Sequence, residues 1–301
     1  MSDIDQTDMT VLTQSEIDQR VFDLYDEYCH GRMDRRSFLQ RAAVTVVGGL
    51  AMAQSLLPRY AQAQTISFTD ERMKATYVSY PSPGGNSGTM RGYLVQPAGK
   101  GPFPSVLVVH ENRGLNPYIE DVARRLAVEG YLALAPDGLA PVGGYPGNDD
   151  DGKDLQANLD QGKLRTDMLN SAKYLKAHAL SSDKMGVTGF CWGGSTTNYL
   201  AGALGADLKA AAPFYGAPAD AAAIPAIKAA IVAHYAEHDE RLTSMWPGYD
   251  KALNTTGVAH EGFVYPGTQH GFHNNSTPRY HEASAKLAWE RTLVLFKRTL
   301  V

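Results

Sequence analysis

The stretch Gly189-Phe190-Cys191-Trp192-Gly193 decides the fold of this chain. It has the pattern glycine, any residue, nucleophile, any residue, glycine, with a cysteine where a serine usually stands. The nucleophile of this pattern occupies a strained turn between a strand and a helix, and the glycines avoid side-chain clashes beside it. A cysteine at a helix N-terminus is favoured as a thiolate by the helix dipole and the free N–H groups. The alternative is a small buried cysteine in a glycine-rich turn.

Strands and helices are predicted to alternate on both sides of this turn. The predicted strands are 76–80 and 90–95, which form an edge hairpin, and then 105–109, 131–135, 184–188, 210–215, 227–235 and 262–265. The predicted helices are 118–129, 164–177, 194–203 and 284–300, and residues 138–152 are predicted to be a loop rich in glycine and proline. This alternation indicates an α/β fold with a mostly parallel, twisted sheet covered by helices on both faces. Polar residues that follow the strands should then meet at one edge of the sheet.

The composition is that of a soluble globular protein, with 301 residues, 44% of them hydrophobic and 20% charged. A net charge of −4 without a basic block argues against nucleic-acid binding. The two cysteines, Cys29 and Cys191, are too few for a disulfide framework. No cofactor is expected.

Residues 1–64 are predicted to be an extension that precedes a domain at 65–301. Within it, Arg35-Arg36-Ser37-Phe38-Leu39 resembles a twin-arginine export signal, and a mostly apolar run at 42–57 is followed by the cleavage pattern Ala61-Gln62-Ala63. The apolar run is too short for a stable membrane span. These features favour an exported, periplasmic protein.

The same region supports an alternative. Ile17, Val21, Leu24 and Tyr28 have the spacing of an amphipathic helix. Residues 15–57 would then be helices that pack on the domain, and the protein would be cytoplasmic with these helices retained.

A base and an acid for the thiol can be found after two of the predicted strands. A thiol nucleophile needs a base to take its proton and an acid to orient that base. Asp239 follows the strand at 227–235, and His270 follows the strand at 262–265. The order Cys191, Asp239, His270 is that of an α/β-hydrolase triad. Glu237 or Glu240 could replace Asp239, and each residue taken singly could be an ordinary loop residue.

The loop His110-Glu111-Asn112-Arg113 follows the strand at 105–109. Acyl transfer needs two N–H donors directed at the developing oxyanion, and the backbone N–H groups of Asn112 and Trp192 are the candidates. Glu111 could hold the Cys191 proton in the resting state and accept it again when substrate arrives. Alternatively, Glu111 forms a salt bridge to Arg113 or Arg279.

A metal site is not predicted. His270 and His273, together with His110 and His260, could be drawn as a ligand set. The pair at 270 and 273 lies in a glycine-containing loop, however, and lacks the helical frame that zinc hydrolases use.

Together these motifs resemble the dienelactone hydrolase (carboxymethylenebutenolidase-like) family of the α/β-hydrolase fold. Residues 189–194 are similar to its cysteine elbow, His110-Glu111 is similar to its glutamate-bearing loop, and Asp239 and His270 fall at its acid and base positions. The resemblance runs from about residue 70 to the end of the sequence. It implies an α/β-hydrolase fold and a Cys-His-Asp hydrolase in which the glutamate tunes the thiol.

Two departures from the family pattern concern the substrate. Members that act on dienelactone are expected to hold its carboxylate with two arginines, and this chain has Pro141 and Asn274 at those positions. Their loss removes a charge-assisted clamp on an anionic substrate. Arg113 could replace the clamp, or it could form a structural ion pair. The candidate substrate-binding residues are Arg113, Tyr145 and Arg279.

The favoured function is hydrolysis of a small-molecule ester or lactone, with Cys191 as nucleophile. Two alternatives keep the fold. Cys191 could be a redox-sensing thiol, although no second cysteine is near to resolve a sulfenic acid if Cys29 is removed or distant. The chain could also be a binding protein with a relic site, although all the triad elements are present.

Overall fold

The computed structural model of the protein describes residues 17–29, 33, 35–57, 63–86 and 88–301. The helices are α1 (Gln19–Cys29), α2 (Arg35–Thr45), α3 (Gly49–Ser55), α4 (Pro117–Val128), α5 (Asp149–Ala157), α6 (Gln161–Lys176), α7 (Trp192–Leu204), α8 (Glu240–Thr243), α9 (Trp246–Thr255) and α10 (Glu282–Leu300). The strands are β1 (Met73–Ser82), β2 (Gly88–Pro97), β3 (Phe103–Val109), β4 (Leu132–Pro136), β5 (Ser181–Phe190), β6 (Ala210–Phe214), β7 (Ala230–His238) and β8 (His260–Gln269).

The described strands form an eight-stranded sheet in the order β1-β2-β4-β3-β5-β6-β7-β8. β1, β2 and β4 pair antiparallel, and β4, β3, β5, β6, β7 and β8 pair in parallel. The prediction of a mostly parallel sheet with an edge hairpin is confirmed. Because the parallel strands share one direction, the residues that follow β3, β5, β7 and β8 all lie at the same edge of the sheet.

Apolar strands form the centre of the core. Every residue of β4 and β6 is buried, as are the last five residues of β3. Such continuous burial is expected of parallel strands covered on both faces. Helix α4 packs on β2 and β4, α7 packs on β5 and β6, and α10 packs on β7. Asn116 begins α4 by accepting a hydrogen bond from the Ile119 N–H, and Pro117 occupies the first helical position.

The N-terminal helices form a small core of their own. Tyr25, Tyr28 and Phe38 are buried and their rings contact one another. The helical spacing predicted for residues 15–28 is confirmed over α1, where Val21 is fully buried. These helices also contact the domain, since the Lys153 ammonium donates a hydrogen bond to the Tyr28 carbonyl oxygen over 3.1 Å.

The twin-arginine pair, Arg35 and Arg36, begins α2. Ala61 and Gln62 of the predicted cleavage pattern lie outside the described residues, and cleavage and export stay predictions. Among the residues that the structure describes, no helix is long and apolar enough to cross a membrane.

The prediction of a loop over 138–152 is wrong at its end, because α5 begins at Asp149. The side chain of Asn148 accepts a hydrogen bond from the Asp151 N–H, and acidic residues fill the first turn of this helix. Carboxylates in a first turn are stabilised by the helix dipole. The strand predicted from 227 begins only at Ala230, because a turn of 3₁₀ helix, Ile224–Ala226, precedes it.

Candidate active site

Cys191 lies in the turn between β5 and α7 in a backbone conformation that is rare for a side-chain-bearing residue. Its φ is 56° and its ψ is −113°. Its N–H donates a hydrogen bond to the Phe214 carbonyl oxygen over 3.1 Å, and its own carbonyl oxygen accepts one from the Ser195 N–H. Strand β6 and the first turn of α7 thus hold the strained turn in place. The side chain of Cys191 is partly exposed.

The glycines around Cys191 are required by close backbone contacts. A Cβ atom on Gly189 would lie 2.3 Å from the Gly193 carbonyl oxygen, and one on Gly194 would lie 2.2 Å from the Phe214 carbonyl oxygen. A Cβ atom on Gly193 would lie 2.3 Å from the Val109 carbonyl oxygen. The turn therefore packs directly on the end of β3, and only glycine fits at these positions.

His270 and Asp239 meet at the edge of the sheet where Cys191 lies. Asp239 follows β7, His270 follows β8, and the Nδ1–H of His270 donates a hydrogen bond to Asp239 Oδ2 over 2.6 Å. The side chain of Cys191 lies near enough for its charge to raise the pKa of the same imidazole. Since Asp239 occupies Nδ1, Nε2 is the nitrogen available to the sulfur. The three residues predicted as a triad thus lie at one edge of the sheet, where His270 contacts Asp239.

The charges around His270 favour its protonated form. Burial lowers the pKa of the imidazole, but the negative charges of Asp239 and Cys191 outweigh burial and raise this pKa well above its ordinary value. The imidazolium form of His270 is therefore stabilised beside these two groups.

Glu111 lies in the loop after β3, buried and close to the sulfur. Its Oε2 accepts a hydrogen bond from the Asn274 Nδ2–H over 3.1 Å. Burial raises the pKa of the Glu111 carboxyl, and the nearby Cys191 charge raises it further, against the opposing charges of Arg113 and Arg279. Asn274, which replaces a clamp arginine, is thus engaged with Glu111.

The two candidate oxyanion donors belong to adjacent segments. Trp192 is the first residue of α7, where backbone N–H groups have no partner within the helix. Asn112 lies in the half-buried part of the loop after β3, and Gly193 packs on the end of that strand. The Trp192 ring stacks on the His110 ring at 5.5 Å between centroids.

Arg113 and Tyr145 contact the same carboxylate. Arg113 Nη1 lies 2.7 Å from Asp149 Oδ2, and both side chains are buried. The Tyr145 hydroxyl donates a hydrogen bond to Asp149 Oδ1 over 2.9 Å. The start of α5 thus brings two predicted substrate-binding residues into one ion-pair cluster, and their role toward substrate stays a prediction.

Arg279 lies between the N-terminal helices and the triad histidine. Its guanidinium carbon is 4.5 Å from the centre of the Tyr25 ring of α1. It also lines a cavity of about 600 Å³ together with His270 and Asp239. The third predicted substrate-binding residue is therefore next to the candidate catalytic residues.

Sequence reasoning missed several neighbours of the site. Tyr215 has a φ of 37° and its ring lies 4.9 Å from the His270 ring. Burial raises the pKa of both Tyr118 and Tyr215, and the charge of Glu111 adds to the effect. The position of Tyr215 directly after β6 could have indicated the site, whereas nothing in the sequence around Tyr118 does so.

The histidines considered as metal ligands contact different residues instead of one another. The His273 Nδ1 is 2.7 Å from the Tyr118 hydroxyl, and its ring packs against Phe190 and Phe214. The His110 Nε2 accepts a hydrogen bond from the Gly138 N–H over 3.1 Å. Over the described ranges, no group of three or more histidine, cysteine or acidic residues could hold a metal ion.

Comparisons with known proteins agree with this arrangement. The model of the "Dienelactone hydrolase family" matches residues 90–300, and a model described as "YqhI-like" matches residues 9–46. An Escherichia coli strain K12 protein named carboxymethylenebutenolidase is 33% identical over 278 residues, which cover 85% of this chain and 97% of the relative. The E. coli hydrolase fragment YghX is 62% identical over 112 residues, which cover 37% of this chain and 95% of the fragment.

A crystal structure named dienelactone hydrolase, from Klebsiella pneumoniae, superposes with a TM-score of 0.64 at 28% identity. The superposition covers 74% of this chain and 99% of that chain. The family match extends over more than half of the sequence, and the sheet has the strand order and mostly parallel pairing described above. The chain therefore belongs to the dienelactone hydrolase family of the α/β-hydrolase fold, and it is a hydrolase that acts on a lactone or an ester.

Proposed function

We propose that this hydrolase cleaves its ester or lactone with Cys191 as the nucleophile, His270 as the proton carrier and Asp239 as the residue that orients His270. The observation that carries the proposal is the hydrogen bond between His270 Nδ1 and Asp239 over 2.6 Å, on an imidazole whose pKa the charges of both Asp239 and Cys191 raise. The bond to Asp239 fixes the tautomer of the imidazole and leaves its second nitrogen for the nucleophile.

The reaction proceeds in two stages. The Cys191 sulfur attacks the acyl carbon, and the carbonyl oxygen becomes an oxyanion held by the N–H groups of Trp192 and Asn112. His270 gives its proton to the leaving alcohol oxygen, which produces a thioester. Water then attacks the thioester carbon while His270 takes a proton from it, the Cys191 sulfur leaves as the thiolate, and the acid is released.

In the resting enzyme the proton stays on the Cys191 sulfur, and the Glu111 carboxylate keeps it there. Its buried carboxyl has a raised pKa, so it binds a proton more readily than an exposed glutamate does. Asn274 fixes the carboxyl through a hydrogen bond. Substrate binding beside Glu111 then favours transfer of the proton to this carboxylate and formation of the thiolate.

The proposal is tested with Cys191→Ala. Hydrolysis of a panel of aryl esters and lactones should fall to the background rate, and iodoacetamide should label Cys191 first in the unmodified protein. Ser195→Ala is the matched control, because Ser195 lies one turn along α7 and its hydroxyl is hydrogen-bonded to backbone groups, the Cys191 carbonyl oxygen and the Ala217 N–H. Normal turnover in Cys191→Ala would refute a cysteine nucleophile.

A further inference from the structure

The end of β6 contacts both the turn that carries Cys191 and the triad histidine. The Phe214 carbonyl oxygen accepts a hydrogen bond from the Cys191 N–H over 3.1 Å. One residue later, the Tyr215 ring lies 4.9 Å from the His270 ring between centroids, and the two planes are tilted by 55°. Residues 214–216 therefore connect the two groups between which the proposed mechanism moves a proton.

Backbone contacts hold this segment on two sides. Helix α7 lies on one side, where a Cβ atom on Gly216 would be 2.2 Å from the Gly194 carbonyl carbon and 2.3 Å from the Ser195 nitrogen. Strand β7 lies on the other side, where the Tyr215 N–H donates a hydrogen bond to the His234 carbonyl oxygen over 2.7 Å. Because the interior is close-packed, a segment held in this way cannot shift independently of α7 and β7.

Tyr215 has a strained backbone and a fully packed side chain. Its φ of 37° lies in a region that bulky residues rarely adopt. The residue is buried, and the Phe272 ring packs on its ring at 5.7 Å between centroids and 69° between planes. Strained conformations persist where the surrounding structure enforces them, and they cluster at functional sites. The Tyr215 ring is therefore fixed in one place beside His270.

His270 requires such a contact because one hydrogen bond does not fix the plane of its ring. The torsion angle that orients a histidine ring has broad energy minima. Asp239 holds the imidazole at Nδ1 over 2.6 Å, but the ring can still tilt about this bond. A tilt displaces Nε2, the nitrogen that the proposed mechanism uses toward Cys191. Packing against the ring therefore determines whether Nε2 is aligned with the sulfur.

We propose that Tyr215 is a positioning residue for the hydrolysis, and that its ring sets the angle of the His270 imidazole relative to Cys191. This inference rests on the proposed function. One short piece of backbone bonds to the Cys191 N–H and carries the ring that packs on His270, so it fixes the sulfur and the imidazole relative to each other. The role belongs to the ring, because the ring makes the contact with His270.

Three substitutions of Tyr215 in the full chain test the inference with a neutral aryl ester. Tyr215→Phe keeps the ring and should keep the kcat of the unmodified protein. Tyr215→Leu removes the ring and should lower kcat by on the order of 10- to 10²-fold, the cost of a misplaced catalytic group. KM should stay constant, because the lost alignment matters only in the transition state. Tyr215→Met should behave like Tyr215→Leu, and its flexible side chain fills more of the space that the ring leaves.

Tyr131→Leu is the matched control for the loss of a buried tyrosine ring. Tyr131 directly precedes β4, at the opposite edge of the sheet from the triad, and its ring packs on Phe296. This variant should lose thermal stability as Tyr215→Leu does, but its kcat should not change. Circular dichroism and thermal unfolding show which variants are folded. If both Tyr215→Leu and Tyr215→Met unfold, the kcat of Tyr215→Phe still decides between the ring and the hydroxyl.

Three results would overturn the inference. Loss of kcat in a folded Tyr215→Phe protein would assign the role to the hydroxyl. Unchanged kcat in a folded Tyr215→Leu or Tyr215→Met protein would show that the ring is not needed. A higher KM at constant kcat would make Tyr215 a substrate-binding residue instead. Normal turnover by Cys191→Ala would contradict the proposed function itself, so the two failures can be distinguished.

Discussion

The Nδ1 atom of His270 lies 2.6 Å from Asp239 Oδ2, and the two side chains are 4% and 2% exposed. The residues are 31 positions apart in sequence. They meet because β7 and β8 are parallel neighbours, and each residue directly follows its strand. Because both side chains are buried, solvent and salt screen the attraction between the Asp239 carboxylate and the His270 imidazolium only weakly.

Asp239→Asn should move the alkaline limb of the kcat–pH profile to lower pH. Burial lowers the His270 pKa, but the charges of Asp239 and Cys191 outweigh it and hold this pKa well above its ordinary value. The imidazolium that protonates the leaving group therefore persists above pH ~6.5 and is lost only as the pH rises through the raised pKa. Without the Asp239 charge, this loss occurs at lower pH, and kcat at neutral pH falls by on the order of 10³- to 10⁴-fold.

Initial rates between pH 5 and 10 check this prediction. Glu237→Gln is the control, because Glu237 precedes Asp239 by two residues and its carboxylate accepts a hydrogen bond from the Gly267 N–H instead. If the alkaline limb of the kcat–pH profile does not shift in Asp239→Asn, a group other than His270 determines the pH at which kcat declines.

Glu111→Gln should increase the reactivity of the thiol while it decreases turnover. The negative charges of the Glu111 carboxylate and the Cys191 thiolate repel each other. The thiolate therefore forms more readily once glutamine replaces the carboxylate. The proton acceptor is lost at the same time. The rate of iodoacetamide labelling at pH 6 to 7 measures the first effect, and ester hydrolysis measures the second. Glu129→Gln, at the exposed end of α4, should change neither, and slower labelling of Glu111→Gln would contradict the assigned role.

Dienelactone should be a poor substrate compared with neutral short-chain aryl esters. The positions of the expected clamp hold Pro141 and Asn274, and the Asn274 amide is hydrogen-bonded to Glu111. Arg113 is paired with Asp149 in a buried cluster, where its charge is already balanced. Values of kcat/KM for the two substrate classes at the same ionic strength test this prediction. A strong preference for the dienelactone anion would mean that other residues bind its carboxylate.

Asp149→Ala should destabilise the fold by about 3–5 kcal/mol, since it leaves the buried Arg113 guanidinium without its carboxylate. The Tyr145 hydroxyl loses an acceptor at the same time. Urea unfolding at constant pH measures the change. Asp150→Ala is a matched control on the same turn, because it breaks a pair in which Arg35 is 52% exposed, and such a pair contributes about 1 kcal/mol or less. Equal losses in the two variants would place the Arg113 pair among ordinary surface pairs.

The placement of Cys191, Asp239 and His270 at one edge of the sheet could be predicted from the sequence, because strand direction and residue position carry the information. Cys191, Asp239 and His270 each directly follow a strand, and parallel pairing brings such positions to one edge. The contact between Asn274 and Glu111 could not be predicted in this way, because it joins two loops whose paths depend on tertiary packing. The apolar spacing of α1 indicated a helix, but spacing does not specify which surface the helix covers. The sequence therefore predicts positions that follow strands, and it does not predict contacts between loops or between α1 and the domain.

The crowding around the elbow has a practical meaning for anyone who wishes to alter the substrate range of this enzyme. At Gly189, Gly193 and Gly194, a backbone oxygen lies within about 2.3 Å of the position that a Cβ atom would occupy. Most substitutions at these three positions should therefore give unfolded or inactive protein. Diversity placed at Gln19 and Ser244, both exposed at the cavity, leaves the elbow untouched.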